Sequence, residues 1–239
     1  METLVISLGG SLFLTGKVDF RFLEEFKKTI DKNKNYKFVI VAGGGNFARE
    51  YIKVLKAAGK SERFQSYAGI GVTRMNARFL SYFFGKDPKK GIPHTKQEVK
   101  NAIKKERVVF CGALEYKPKN TSDGTAAELA AFLKTDFVNL TLAPGLCTKN
   151  PLIYKDARLI PEISYNELNT IMRKMKYKPG QHFVIDQSAS RIIMKNKIKT
   201  YILGKNMKNF DDFLNKQDFI GTRVLDDKEI RRDKEEDKK

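Results

Sequence analysis

Short apolar runs alternate with amphipathic stretches along most of the chain. Thr3-Leu4-Val5-Ile6-Ser7-Leu8 is the first run, and Phe38–Val41, Val108–Cys111, Asp136–Leu142 and Thr200–Leu203 repeat the pattern. Runs of this length, closed by glycine or proline, predict buried strands. Between them, apolar residues recur at helical intervals: Phe22, Phe26 and Ile30; Tyr67, Ile70, Ala77 and Leu80; Leu168, Ile171 and Met175. Helices are expected after the cap Asp19, after the cap Asn46, over Ser66–Phe84, over Thr95–Lys105, from Thr121 through Leu133, after the cap Ser164, and over Ser188–Lys197. Lys178-Pro179-Gly180 predicts a turn. Strand followed by helix, repeated, argues an α/β fold with a mostly parallel central sheet, arranged as a three-layer α/β/α sandwich. No internal repeat is present.

The pattern is punctuated where strands end. Gly9-Gly10-Ser11 follows the first run, Gly43-Gly44-Gly45 follows the second, Gly112 the third and Ala143-Pro144-Gly145 the fourth. In an open parallel sheet these loops share the carboxyl edge, where ligands bind. Glycines let a backbone approach a ligand closely, and a helix start offers unpaired N–H groups to an anion. Arg49, one turn beyond the second glycine loop, adds a planar cation suited to phosphate; its plainer role is a surface ion pair. The loop matches neither G-x-G-x-x-G nor G-x-x-x-x-G-K-[ST].

Composition narrows the picture. The 239 residues are 41% hydrophobic, enough for a packed core. The formal net charge is +18, with the lysines spread over the whole length. That spread favours solvated faces and small anionic substrates over nucleic acid, for which no motif is present. Cys111 and Cys147 stand in apolar surroundings and read as reduced core thiols of a cytoplasmic protein. His94 and His182 stand apart and read as structural. Met1–Leu14 lacks a basic leader, and no apolar run is long enough for a membrane. Two sequons, at Asn120 and Asn139, carry no weight in such a protein. Residues 1–225 read as one domain, and 226–239 as a charged tail.

Backbone donors and a few basic groups on one sheet edge suit phosphoryl transfer, which needs positioning and charge neutralisation above all. A magnesium ion would arrive with the nucleotide; no protein-only metal site is expected. Asp123 and Asp186 are the carboxylates that could reach such an ion, although Asp123 also reads as a helix cap.

The chain resembles the amino acid kinase family, and within it the archaeal-type UMP kinases. The segments that carry the resemblance run in order: VISLGGS (5–11), VAGGGNFAREYI (41–52), GIGVTRMNA (69–77), NTSDGTAAELAAFLKTD (120–136), LTLAPGLCTKNP (140–151), VIDQSASRII (184–193) and FIGTRV (219–224). The resemblance implies ATP-dependent phosphorylation of UMP to UDP, within pyrimidine nucleotide biosynthesis, with ATP and Mg²⁺. It implies a symmetric homo-oligomer, a hexamer built as a trimer of dimers through the lobe with the long helix. It places the acceptor in the lobe up to about residue 134 and the nucleotide in 135–225.

By the same resemblance, Gly9, Gly10, Ser11, Arg49 and Asp186 would serve the transfer. Gly44, Ser66, Ala113, Thr121, Ser122 and Asp123 would hold UMP. Gly10, Gly45, Arg49, Thr141, Leu142, Cys147 and Asn150 would contact ATP. Some positions depart from the pattern. Ser7 stands where many relatives have lysine, and Ser66 where UMP kinases have aspartate. Leu142-Ala143-Pro144 replaces a polar nucleotide loop, Arg191 replaces a lysine, and the loop at 114–120 is long. These departures keep two other functions open: a kinase of another small anionic acceptor, and a weakly catalytic nucleotide-binding homologue. Arg74 and Arg78 read as subunit or salt-bridge residues.

Overall fold

The computed structural model describes residues 1–117, 120–151, 153–174 and 184–230. The expected turn at Lys178–Gly180, His182 and the tail beyond residue 230 lie outside them. In chain order the elements are β1 (Glu2–Leu8), α1 (Gly10–Phe13), α2 (Phe20–Lys32), β2 (Tyr36–Ala42), α3 (Gly45–Ala57), α4 (Glu62–Phe83), α5 (Lys96–Lys105), β3 (Val108–Cys111), α6 (Ser122–Leu133), β4 (Asp136–Leu140), β5 (Glu162–Ser164), α7 (Tyr165–Lys174), α8 (Gln187–Asn196), β6 (Thr200–Leu203), α9 (Met207–Leu214) and β7 (Gly221–Leu225).

The strands form one sheet in the order β3-β2-β1-β4-β6-β7-β5. All neighbours are parallel except β6 and β7. The α/β sandwich with a mostly parallel sheet is therefore as the strand–helix alternation predicts. The alternation did not predict β5, α1, α9 or the antiparallel β7. These are short, or closed by loops rather than by glycine-bounded apolar runs.

Both faces of the sheet are covered, which explains why β1 and β2 read as continuous apolar runs. On one face, Val5, Val39, Val41 and Val109 pack under α5, α6, α7 and α8. On the other, Leu4, Ile6, Leu8, Phe38 and Ile40 pack under α2, α4 and α9. Helix α6 buries Ala126, Ala127 and Ala130, whose small side chains let it lie close to β1. The second face is aromatic instead: Phe26 contacts Phe84 and Phe210, and Phe84 lies 4.8 Å from Phe110, centroid to centroid.

Two caps differ from the sequence reading. Asn46 lies inside α3, whose cap is Gly44, two residues earlier, with Gly45 at φ +61° where the chain turns. Thr121, rather than Asp123, caps α6, its Oγ1 accepting from Gly124 N at 3.2 Å. Asp19 caps α2 as expected, accepting from Phe22 N. Ser164 and Glu167 form a reciprocal box at the start of α7.

Phe210 is fully buried in the second face, against Phe26 and Phe213. Phe210→Ala is expected to lower unfolding stability by about 3–5 kcal/mol. A denaturant titration showing less than about 1 kcal/mol of loss would mean that this face contributes little.

Candidate active site

The register levels the loops that matter. Leu8 pairs with Ala42 on one side and with Leu140 on the other. Gly9, Gly43 and Thr141 therefore leave three adjacent strands at one height. The strand order turns back at β1 and β4, so this is the switch point of the sheet, where a crevice opens.

The two glycine loops touch backbone to backbone. A Cβ on Gly10 would stand 2.3 Å from Gly45 N and 2.7 Å from Gly43 O, and one on Gly43 would stand 2.6 Å from Gly10 N. No other residue type fits at Gly10 or Gly43 without moving main chain. Gly9 N donates to Leu140 O, tying the first loop to β4. Asn76, buried on α4, donates through Nδ2 to Gly43 O at 2.7 Å and holds the second loop from behind.

Arg49 opens the second turn of α3. Its Nη2 donates to Ser11 Oγ at 3.2 Å and also to Asn46 Oδ1. It forms no ion pair among the described residues, so the surface-pair reading is not what the structure shows. A half-buried cation beside two glycine loops is suited to an anion.

Two carboxylates lie behind this cradle. Ser7 Oγ donates to Asp123 Oδ1 at 2.6 Å. Asp186 caps α8, its Oδ1 accepting from Ser188 N at 2.6 Å and from Ala189 N at 2.9 Å. Its Oδ2 accepts from Thr121 Oγ1, which joins the starts of α6 and α8. Desolvation, and then the charge of Asp186, push Asp123 up to about 7, against the pull of the Ser7 hydrogen bond. Burial also raises Asp186, opposed by the donors from Thr121, Ala189 and Ser188. Neither forms an ion pair among the described residues, where no cluster of three or more His, Cys, Asp or Glu gathers either. Two carboxylates without a cage fit an ion that brings most of its own ligands, as magnesium does on a nucleotide.

The loop after β3 is fastened to α4. Ala113 N donates to Thr73 Oγ1 at 2.9 Å, Arg74 Nε donates to Ala113 O at 3.1 Å, and Arg74 also reaches Leu114 O. The Tyr116 ring stacks on Tyr67 at 5.5 Å. Arg74 thus holds a loop of its own chain, and among the described residues it makes no salt bridge. Thr73, Arg74 and Asn76 were not singled out as site residues. The signal was present as polar side chains between the buried Val72 and Ala77 of an apolar helical stripe.

Other expected residues lie further apart. Ser66 is on the second turn of α4, half-buried. Ser122 opens α6. Thr141 N donates to Leu203 O at 2.9 Å. Leu142 packs against the core and Ala143 is buried, so this stretch presents no polar side chain beyond Thr141. Cys147 bridges to Leu159, with Sγ 3.8 Å from Gly145 O. The backbone carbonyl of Asn150 accepts from Ile153 N and Tyr154 N. Cys147 and Asn150 thus lie on a segment folded against β7, where Leu146 N donates to Thr222 Oγ1.

A doubly covered, mostly parallel sheet with two touching glycine loops at its switch point is an α/β architecture suited to an anion at that edge. The amino acid kinase family model matches residues 2–204, and the chain belongs to that family. It is 39% identical over 202 residues to the uridylate kinase of Archaeoglobus fulgidus, covering 83% of this chain and 89% of that one. It is 34% identical over 225 residues to the uridylate kinase of Thermoplasma volcanium, covering 93% and 97%. The crystal structure of the Archaeoglobus fulgidus uridylate kinase superposes with a TM-score of 0.80, covering 94% of this chain and all of that one. An isopentenyl phosphate kinase structure, 14% identical with a TM-score of 0.69, shares the fold.

The raised Asp123 has a consequence for stability. Its folded value lies above the ordinary 3.8, so the native state binds this proton more tightly than the unfolded chain. Its contribution therefore favours folding least above pH 7, and stability lost to it accumulates as pH rises from about 4 to about 7. Asp123→Asn is expected to stabilise the chain at pH 8, with the gain shrinking towards pH 4. Urea unfolding at both pH values checks this, and an equal change at both would remove the buried charge as the cause.

Proposed function

We propose that this chain transfers the γ-phosphoryl group of ATP to UMP, giving ADP and UDP. What supports the reading most is the position of Arg49, a cation without an ion pair among the described residues, beside two touching glycine loops, in a chain 39% identical to a uridylate kinase. An oxygen of the acceptor phosphate attacks the γ-phosphorus in line, and the bond to the bridging β-oxygen breaks. Gly10, Ser11, Gly44 and Gly45 offer backbone donors to the charge that spreads over the transferring group, while Gly9, its N–H held by Leu140 O, fixes the first loop in place. Arg49 neutralises that charge from the side of α3. Asp123 and Asp186 are the groups that would meet Mg²⁺, which supplies further neutralisation when bound with the nucleotide. The half up to about residue 134 holds the acceptor, with Ser66, Ala113, Thr121, Ser122 and Asp123 around it. The half from 135 to 225 holds ATP, with Thr141, Leu142, Cys147 and Asn150.

A second reading, a different small anionic acceptor, has support from Ser66, an uncharged side chain on the α4 flank of the acceptor half. The fold does not choose between acceptors, since an isopentenyl phosphate kinase shares it. Coupled ADP release across UMP, CMP, AMP and small acids separates the readings. Turnover fastest with UMP is expected; no turnover with UMP but turnover with another acid replaces the first reading by the second.

Arg49→Ala removes a donor that acts where charge develops. Turnover is expected to fall by about a hundredfold, while folding is retained. An unchanged rate at saturating ATP and UMP would take Arg49 out of the mechanism.

The chain also carries a face suited to self-association. On α3, Phe47, Tyr51 and Val54 are exposed, and on the adjoining α4 so are Phe64, Met75, Phe79 and Tyr82. Two parallel apolar stripes are more than a monomer of this size usually leaves in water. A symmetric dimer through this face, repeated into a hexamer, covers them. Val54→Glu combined with Met75→Glu is expected to lower the mass seen by light scattering. A monomeric wild type, or an unchanged mass in the variant, would remove the face as the interface.

A further inference from the structure

Two neighbouring strands each bury one polar residue among apolar ones, at the same level. On β1, Val5 and Ser7 point to the face covered by α6, and on β4 Phe137 and Asn139 point to the same face. Ser7 pairs with Asn139 in the register. Both are buried, Ser7 at 0% and Asn139 at 2% exposure. A hydroxyl and an amide in that position weaken the apolar core unless they hold something. Each does. Ser7 Oγ donates to Asp123 Oδ1 at 2.6 Å, and Asn139 Nδ2 donates to the carbonyl of Val184, two residues before Asp186.

We propose that Ser7 and Asn139 form a polar shelf that sets where the carboxylates of Asp123 and Asp186 stand, and that both are positioning residues for phosphoryl transfer. The inference rests on the kinase reading and extends it to two residues with no role in that reading. The geometry is economical. Strands β1 and β4 are hydrogen-bonded partners in the middle of the sheet, so the separation of Ser7 and Asn139 is fixed by the ladder. Asp123 and Asp186 come from the starts of two different helices, α6 and α8, and are themselves joined through Thr121. The shelf ties both helix starts to the most rigid part of the fold. Groups supporting a reacting constellation from rigid elements typically cost ten- to a hundredfold in activity when removed.

The test is a double-mutant cycle with a structural arm. Ser7→Ala is expected to lower kcat about tenfold, with KM for UMP changed less than about twofold. Ser7→Thr, which keeps the hydroxyl, is expected to recover most of the rate. If Ser7 acts through Asp123, Ser7→Ala adds nothing in an Asp123→Asn background. Full losses that multiply in the double variant, or an unchanged kcat in Ser7→Ala, overturn the proposal. Crystal structures of Ser7→Ala and Asn139→Ala supply the second arm, independent of the acceptor. Displaced Asp123 and Asp186 carboxylates support the shelf, and carboxylates that stay in place overturn it. A wild type that turns over neither UMP nor any other acceptor refutes the kinase reading, and the shelf is then judged on the crystal structures alone.

Discussion

The close approach of Gly10 to Gly43 and Gly45 is the constraint on which the other features of the site depend. Two loops from adjacent parallel strands meet with no side chain between them, and a single methyl group at Gly10 would stand 2.3 Å from a backbone nitrogen. That contact requires β1 and β2 to end level, which their register provides. It requires the second loop to be held from behind, which Asn76 does through Gly43 O. It also brings the start of α3 beside α1, so that Arg49 reaches Ser11. A backbone surface rich in N–H groups and flanked by one cation follows from the packing of glycines.

The fold around this contact divides its labour by side-chain size. Small residues on α6 let a helix lie tight against the central strands, and the helix start then delivers Thr121 and Asp123 to the carboxyl edge. Large aromatics fill the opposite face, between the sheet and α2, α4 and α9. The carboxylates of the site enter from the small-residue face, while Thr73, Arg74 and Asn76 reach its loops from α4 on the other. Ser7 and Asn139 bring polarity into the two central strands of the sheet.

Electrostatics at the edge are arranged by sign and depth. Arg49 is at the front, donating to a hydroxyl and an amide oxygen among the described residues. Asp123 and Asp186 are behind, deep enough that desolvation raises both. Such an arrangement is unfavourable for the empty chain and is relieved by a ligand that brings negative phosphates to the front and a cation towards the back. The overall charge of +18 adds a long-range attraction for anionic substrates without identifying any of them.

What the chain's own order of residues determined is the framework. Apolar runs at Thr3–Leu8, Phe38–Val41, Val108–Cys111 and Thr200–Leu203 became strands because a run buried on both faces has no other stable use in a chain of this pattern. The glycine triplet was legible for a local reason too, since few residues other than glycine tolerate so close a backbone approach. Other features were decided only in three dimensions. Whether Asp123 or Thr121 capped α6 depended on which side chain Ser7 and Asp186 had already engaged. Arg74 could have faced solvent, and it holds Ala113 and Leu114 because β3 ends beside α4. Ser7 and Asn139 stand 132 positions apart in sequence and side by side in the sheet. Periodicity reports which face a residue occupies; only the strand order β2-β1-β4 makes neighbours of residues so distant, because hydrogen-bonded ladders pair strands irrespective of the length of chain between them.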